Sequence, residues 1–292
     1  MPCQVEGAGM MTPAQKLRLY KEKYGITLKK GLSQSFLADP AVLSRVAGSL
    51  DIRKGEWVVE VGAGAGFLTE HLLKAGARVI AIEVDPGMVE VLEEEMGGHP
   101  DLEIVSADIL TVDLARLLDG RGVDKCAVAG NLPYHITTPT VFHLLEARTR
   151  VSRMALMVQL EVGERMSAKP GGKEYGALSL GVSYGCVCER LFTVGPGAFI
   201  PPPQVKSAVM RLIPVEPSLT KRQEKVLFTI VKQAFSQRRK MLINAVAEAL
   251  GGKEEARKVL EMAGIREKNR AENIDLKGFI SIARLVEAQK AL

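Results

Sequence analysis

The sequence predicts an α/β fold with a mostly parallel sheet that ends in an antiparallel pair, followed by a small all-helical C-terminal domain. Three observations support this fold class. From residue 56, short apolar runs alternate regularly with segments of helical period, which is the pattern of a parallel sheet with crossover helices. Two further strand-like runs then flank a Pro-rich turn, GPGAFIPPPQ. Beyond residue 217, each apolar pattern has helical period.

The predicted elements follow in the order that this fold class requires. The parallel strands are predicted at 57–61, 78–84, 102–107, 125–130 and 153–159, with helices at 68–74, 88–96 and 138–146 between them. The antiparallel strands are predicted at 178–192 and 205–213, and the C-terminal helices at 225–235, 241–250, 256–264 and 279–288. We therefore expect an N-terminal tail over 1–27, a main domain over 28–216 and a helical domain over 217–292.

Composition excludes several classes of protein. Of the 292 residues, 47% are hydrophobic and 25% are charged, which suits a globular protein with a substantial core. No apolar run approaches the roughly 20 residues of a membrane-spanning helix, and the N-terminus lacks a signal-peptide pattern. The four cysteines have no second Cys/His pair at ligand spacing. We expect a cytoplasmic protein with reduced thiols, no metal site and no membrane contact.

Positive charge is concentrated at the two ends of the chain. Residues 218–292 hold 16 Lys and Arg against 9 Asp and Glu, whereas residues 1–217 carry a small net negative charge. A second basic stretch spans Lys16 to Lys30. This distribution is typical of a protein that binds a polyanion. Helical faces exposed to solvent would explain the same charge distribution equally well.

The first strand leads into the glycine-rich segment VEVGAGAGFLT. Gly62 and Gly64 fall in the turn, where glycine permits close backbone approach to a ligand, and Glu83 ends the next strand as a carboxylate for ribose hydroxyls. These features fit a dinucleotide or an adenosyl cofactor. Phe67 stands where the dinucleotide fingerprint needs its third glycine, and Asp108 offers a second acid for an adenine amino group, so the adenosyl cofactor is favoured. Asp108 also suits a helix N-cap.

The most specific motif is the Asn131-Leu132-Pro133-Tyr134 segment at the end of the fourth strand. The lone pair of an adenine N6 is delocalised into the ring, so methyl transfer to it needs acceptors that hold its hydrogens. The Asn131 side-chain oxygen and the Leu132 carbonyl can supply two, in a turn stiffened by Pro133. Tyr134 offers a surface for a base flipped out of its stack. An ordinary Asn/Pro turn with a core-packed tyrosine is the alternative.

These motifs resemble the ribosomal RNA adenine dimethyltransferase family over about residues 28–273. The resemblance also includes LSQSFLADP, AIEVD, ADIL, GNLPYHITTP, MVQLEVGERMSAKPGGKEYGALS, FIPPPQVKSAV and AFSQRRKMLIN. It implies a class I (Rossmann-like) methyltransferase sheet with S-adenosylmethionine as methyl donor. It also implies that Phe199 stacks on the target base opposite Tyr134. The implied donor-site residues are Gln34, Ser35, Leu37, Glu60, Gly62, Gly64, Glu83, Asp108 and Asn131.

Two subfamilies with different RNA targets share these motifs, and the sequence has features of both. Small-subunit enzymes dimethylate two adjacent adenines near the 3′ end of 16S rRNA, whereas resistance methylases modify one adenine of the large-subunit RNA. The EVGERMSAKPGGKEYGALS segment and Leu132 resemble the former; Ser33 and His135 are closer to the latter. We expect 16S rRNA in an assembling 30S subunit as the substrate of a monomeric enzyme. The residues expected to contact RNA phosphates are Lys206, Lys232, Arg238, Arg239 and Lys240.

Two other functions remain as hypotheses. The basic ends would also suit an RNA-binding ribosome assembly factor whose methylation is secondary. A dinucleotide-dependent oxidoreductase is disfavoured by Phe67 and by the NLPY segment.

Overall fold

The computed structural model describes residues 11–25, 35–238 and 240–290. Its strands are β1 (Phe36–Leu37), β2 (Trp57–Val61), β3 (Arg78–Glu83), β4 (Leu102–Ser106), β5 (Cys126–Asn131), β6 (Val151–Gln159), β7 (Cys186–Val194), β8 (Phe199–Ile200) and β9 (Ser207–Pro214). Its α-helices are α1 (Pro13–Tyr24), α2 (Pro40–Gly48), α3 (Phe67–Lys74), α4 (Pro86–Met96), α5 (Leu114–Asp119), α6 (Thr137–Glu146), α7 (Leu160–Met166), α8 (Ala177–Gly185), α9 (Lys221–Ser236), α10 (Leu242–Val246), α11 (Lys253–Met262) and α12 (Leu276–Lys290).

A seven-stranded sheet has the order β4-β3-β2-β5-β6-β9-β7. The neighbours from β4 to β6 pair in parallel, whereas β9 runs antiparallel to β6. The predicted mixed α/β sheet is confirmed. After β2 the chain builds β3 and β4 on one side and then returns to place β5 on the other side. The carboxyl ends of β2 and β5 therefore flank the topological switch point, where ligands bind in open sheets of this kind.

A second, two-stranded sheet joins β1 to β8. Phe36 pairs with Ile200 and Leu37 with Phe199, in antiparallel register. Strands of two residues show no sequence period, so neither strand was predicted. Their pairing brings the segment before α2 against the segment that follows β7.

Local start signals explain where α2 and α4 begin. Each is preceded by an aspartate cap and starts with proline, whose missing N–H is not needed in the first turn. The Asp39 carboxylate accepts hydrogen bonds from the backbone N–H groups of Ala41 and Val42, and Asp85 accepts one from Gly87.

The segment 178–185 is helical, so the prediction of one continuous strand over 178–192 was wrong in its first half. It forms most of α8, and only the following residues form β7. Seven of the nine residues of α8 are buried, so its apolar residues surround the helix and show no 3.6-residue period. Tyr184 in α8 donates a hydrogen bond to Glu224 in α9 at 2.8 Å, a long-range contact that local sequence does not encode.

The chain forms two compact units: residues 1–160 with 190–212, and residues 161–189 with 213–292. This division differs from a single boundary at 216, because Tyr175, Leu180 and Tyr184 belong to the hydrophobic core of the second unit. The expected N-terminal tail also differs, since residues 13–24 form α1. Leu17 and Tyr20 of α1 are buried in the core of the first unit.

None of the helices within the described residues is long and apolar enough to cross a membrane. The same residues contain no group of three His, Cys, Asp or Glu side chains arranged to hold a metal ion.

Candidate active site

A cavity opens in the first unit at the carboxyl ends of β2, β3 and β5. It combines the glycine turn after β2, the acid at the end of β3 and the motif at the end of β5. The lining residues are Ser35, Phe36, Leu37, Glu60, Val61, Gly62, Ala63, Gly64, Ala65, Phe67, Leu68, Ile82, Glu83, Val84, Ala107, Asp108, Ile109, Asn131, Leu132, Pro133, Tyr134, His135 and Ile136. The structure thus brings together eight of the nine predicted donor-site residues; Gln34 lies outside the described residues.

The turn after β2 uses glycine because its backbone is left-handed. Gly62, Gly64 and Gly66 have φ angles of 73°, 54° and 79°, a region that residues with a Cβ rarely adopt. A Cβ on Gly64 would lie 3.0 Å from the Phe36 ring, and one on Gly66 would lie 2.6 Å from Met96 Sδ. The turn therefore lines the cavity with its main chain, and the packed side chains of Phe36 and Met96 leave little room for a Cβ.

Glu83 is held in place by the backbone. Its carboxylate accepts hydrogen bonds from the N–H groups of Gly64 at 2.8 Å, and of Val84 and Asp85 at 2.9 Å each. Burial raises the pKa of Glu83, and these hydrogen bonds oppose that shift. Because an ionised carboxyl has roughly four acceptor sites, three backbone donors fix its orientation and leave capacity for a ligand hydroxyl.

Asp108 caps a short helix and also lines the cavity. One carboxylate oxygen, Oδ1, caps the short 3₁₀ helix Ile109–Thr111 by accepting from the backbone N–H of Leu110 at 2.9 Å. The side chain is exposed at the edge of the cavity. Capping therefore does not remove Asp108 from the lining, because its second oxygen can accept a hydrogen bond from an adenine amino group.

Glu60 is the most deeply buried acid of the cavity. It is 1% exposed, and the Thr69 hydroxyl donates a hydrogen bond to its Oε2 at 2.6 Å. Burial raises the pKa of Glu60 to about 8; the hydrogen bond from Thr69 opposes this shift and the nearby Glu83 adds to it. Sequence reasoning did not identify Thr69. The signal was a carboxylate inside a parallel strand, where every polar group needs a partner.

Asn131 owes its orientation to a residue 96 positions away. Its Nδ2 donates to the backbone carbonyl of Ser35 at 3.1 Å, so its Oδ1 is left as an acceptor. The Pro133 carbonyl already accepts from Ile136 N and Thr137 Oγ1. The role of the Leu132 carbonyl as the second acceptor stays a prediction.

The two aromatic residues assigned to the target base lie in different environments. Tyr134 is half-buried on the cavity, and its hydroxyl is 3.1 Å from the buried Ser207 hydroxyl, which fixes its ring. Phe199 does not line the cavity: it is 3% exposed and packs in the core of the first unit, paired in register with Leu37. Its stacking on a base stays a prediction that needs a local movement of β8.

The cavity fits an adenosyl methyl donor. Among the described residues its lining includes Glu60, Glu83 and Asp108 but no lysine or arginine, which suits a ligand that carries a positive sulfonium and an ammonium group. The glycine turn leaves room for backbone approach. The side-chain oxygen of Asn131 also lies on this cavity, where the sequence predicts an acceptor for the hydrogens of the target amine.

The residues predicted to contact phosphate differ in their surroundings. Lys206, Lys232 and Lys240 are exposed. Arg238 is bound within its own unit, with Nε donating to the Glu272 carboxylate at 2.8 Å and Nη2 to the Gly172 carbonyl at 3.1 Å. Arg239 lies outside the described residues.

Known proteins are similar to this chain in sequence and in fold. The family model for ribosomal RNA adenine dimethylase matches residues 25–288. The ribosomal RNA small subunit methyltransferase A of Alkaliphilus metalliredigens is 37% identical over 94% of this chain and 97% of its own. The protein of the same name from Geobacter metallireducens is 41% identical over 90% and 97%.

Solved structures agree with these relatives. A dimethyladenosine transferase from Plasmodium falciparum has a TM-score of 0.73 at 27% identity and covers 87% of this chain and 98% of its own. A 23S rRNA methyltransferase has a TM-score of 0.64 at 26% identity, covering 86% and 99%. With the glycine turn, the paired acids and the Asn131 motif in one cavity, this chain belongs to the ribosomal RNA adenine dimethylase family of S-adenosylmethionine-dependent enzymes.

Proposed function

We propose that this enzyme dimethylates N6 of two adjacent adenines near the 3′ end of 16S rRNA in an assembling small subunit, as a cytoplasmic monomer. The observation that carries the chemistry is the hydrogen bond from Asn131 Nδ2 to the Ser35 carbonyl, which leaves Oδ1 as an acceptor. The choice of small-subunit RNA is supported by relatives named ribosomal RNA small subunit methyltransferase A, which match 90% or more of this chain. The cytoplasmic location follows from that substrate.

Each residue of the site has a defined task in this proposal. Glu83 binds the ribose hydroxyls of the donor, and Asp108 binds its adenine amino group. Asn131 Oδ1 and the Leu132 carbonyl accept hydrogen bonds from the target N6, which turns its lone pair towards the methyl group. Tyr134 supports the flipped base. The donor supplies an electrophilic methyl group, and the chain supplies position, orientation and a water-poor site.

Methyl transfer to purified unmethylated 30S and 50S subunits, followed by nucleoside analysis, tests the target. We expect N6,N6-dimethyladenosine in the 30S RNA alone, formed far more slowly by Asn131→Ala. Gel filtration with light scattering tests the monomer. Naked 16S rRNA that accepts methyl groups as fast as the particle would contradict the requirement for an assembling subunit.

A large-subunit target is the second candidate. It is favoured by the TM-score of 0.64 to a 23S rRNA methyltransferase and by His135, which lines the cavity directly after Tyr134. Methyl groups in the 50S RNA alone would support this target.

An RNA-binding assembly factor with secondary methylation would be supported if Asn131→Ala restored normal subunit assembly without methylating the RNA.

A further inference from the structure

Glu60 stands apart from the other acids of the donor cavity in its hydrogen bonding. Glu83 accepts three backbone N–H groups, and Asp108 is exposed to water. Glu60 is buried in β2, and among the described residues the one hydrogen-bond partner of its carboxylate is the hydroxyl of Thr69 in the first turn of α3. Enclosing an ionised carboxylate with so few partners is costly, whereas a neutral carboxylic acid is tolerated.

In the part of the chain that the structure describes, no positive side chain lines the cavity beside Glu60. The other titratable groups that line the cavity are Glu83 from β3, Asp108 from the segment after β4 and His135 from the segment after β5. The negative charge of Glu83 disfavours ionisation of Glu60, and burial raises its pKa to about 8. Burial among few hydrogen-bond donors therefore favours the neutral, protonated form of Glu60 in the chain without a donor.

We propose that Glu60 gives up this proton to solvent when the positively charged methyl donor binds, and that Thr69 is the positioning residue that holds the resulting carboxylate towards the cavity. The positive charge of the donor replaces the proton as the partner of Glu60. A ligand that binds one ionisation state better than another shifts the equilibrium between them. Thr69 stabilises the ionised state, since its hydroxyl donates and a carboxylate accepts.

Donor binding and the loss of the Glu60 proton are linked, so donor affinity depends on pH. Below about pH 8 donor binding must first remove a proton, so affinity rises as pH increases, by at most roughly tenfold per unit. Above about pH 8 affinity becomes independent of Glu60. The proposal rests on the donor site alone, so its failure would leave the proposed RNA target untouched.

Calorimetry of the full chain with S-adenosylmethionine, without RNA, tests the linkage. Titrations at pH 7 in buffers of different ionisation enthalpy measure the protons released. We expect wild type to release most of one proton and to bind more tightly as pH rises from 6 to 8. Glu60→Gln, which keeps an acceptor for Thr69, should lose this release and this pH dependence. Equal proton release by Glu60→Gln and wild type would overturn the proposal.

Thr69 is tested by a matched pair of variants. Thr69→Val keeps the shape but removes the hydroxyl, so the rise in affinity should move to higher pH, while Thr69→Ser should restore the wild-type curve. Thr140→Val is the control, because Thr140 is equally buried and its hydroxyl has no partner within the described residues. Identical pH curves for Thr69→Val and Thr69→Ser would exclude the role of Thr69.

S-adenosylhomocysteine, which lacks the sulfonium charge but keeps the ammonium, identifies the charge that Glu60 senses. A pH dependence shared by both ligands assigns it to the ammonium group. A pH dependence seen with S-adenosylmethionine alone assigns it to the sulfonium, and Glu60 then also favours donor over product.

Discussion

The side chain of Asn131 is oriented by the backbone carbonyl of Ser35 rather than by another side chain. The contribution of Ser35 is therefore a main-chain group, which any residue at this position provides. The glycine turn likewise contributes its main chain, because glycine has no Cβ that would keep a ligand away from the backbone. At the scale of residues, the site therefore depends on backbone groups as much as on side chains.

We expect Asn131→Ala to lower the rate of methyl transfer by about a hundredfold or more, because one of the two acceptors for the target amine is lost. RNA affinity, measured by filter binding, should change little, and calorimetry with S-adenosylmethionine measures separately any loss of donor binding, since Asn131 also lines the donor cavity. Normal methylation by a correctly folded variant would refute the two-acceptor mechanism.

Gly64→Ala should weaken donor binding about tenfold, because a left-handed backbone costs roughly 1–2 kcal/mol with a Cβ and the new atom contacts the Phe36 ring. Gly122→Ala is the matched control: its φ is 65° and a Cβ there meets nothing within 4 Å. Both variants should lose thermal stability, and only Gly64→Ala should lose affinity for S-adenosylmethionine. Equal donor affinities would show that the turn does not approach the donor.

Burial of Glu60 also predicts a pH-dependent stability. Its pKa is about 8 in the folded chain against an ordinary value of 4.5, so its contribution to stability is present below pH 4.5 and is lost as pH rises through about 8. We expect Glu60→Gln to be stabilised relative to wild type more at pH 9 than at pH 5. Urea unfolding at the two pH values measures this, and a constant difference between the proteins would contradict it.

At the scale of elements, the loop between α7 and α8 is braced against the segment that precedes α12. Gly171 N donates to the Glu272 carbonyl at 2.7 Å, and the Tyr175 hydroxyl donates to the Ile274 carbonyl at 2.9 Å. Arg238 adds two further hydrogen bonds, to Glu272 and to the Gly172 carbonyl. Residues from two distant stretches of sequence, Arg238 and the segment 272–274, thus hold one loop of the second unit.

Arg238→Ala should therefore destabilise the chain by about 1 kcal/mol, a modest value because the ion pair is partly exposed. Hydrogen exchange of residues 167–176 should accelerate. Lys240→Ala, at an exposed site two residues away, should change neither quantity. If Arg238→Ala alters RNA binding but not exchange in this loop, Arg238 acts on phosphate and not as a brace.

At the scale of the whole molecule, negative and positive charge are concentrated in different parts of the chain. The donor cavity is lined by acids, whereas the excess of Lys and Arg lies in residues 218–292. RNA binding releases counterions in proportion to the phosphate contacts, while a buried cavity is screened little by salt. The two ligands of this enzyme should therefore respond differently to ionic strength.

The double variant Lys232→Ala with Lys240→Ala should reduce the slope of log affinity for rRNA against log salt by roughly two, if each lysine contacts one phosphate. Lys54→Ala with Lys125→Ala makes the same charge change at exposed sites of the first unit and is the control. Donor affinity should be unchanged in both proteins. An equal loss of slope in the two double variants would show a general effect of charge.

The sequence alone determined the fold class and most of the donor site. The strands at 57–61, 78–84 and 102–107 were predicted to within one residue, because parallel strands are continuous apolar runs with glycine or acid at their ends. Glu83, Asp108 and Asn131 each end or directly follow such a strand. The topology of an open parallel sheet brings those ends together, so local motifs were enough to assemble the site.

Tertiary structure decided what depends on distant residues. The helical form of α8 is stabilised by the core of the second unit, and the orientation of Asn131 by Ser35. The hydrogen bond from Thr69 to Glu60 and the ion pair between Arg238 and Glu272 likewise became visible only in the tertiary structure. The burial of Phe199 follows from the pairing of two-residue strands. In each case the decisive contact joins residues that local patterns cannot connect, because hydrophobic burial and hydrogen bonding act through space rather than along the chain.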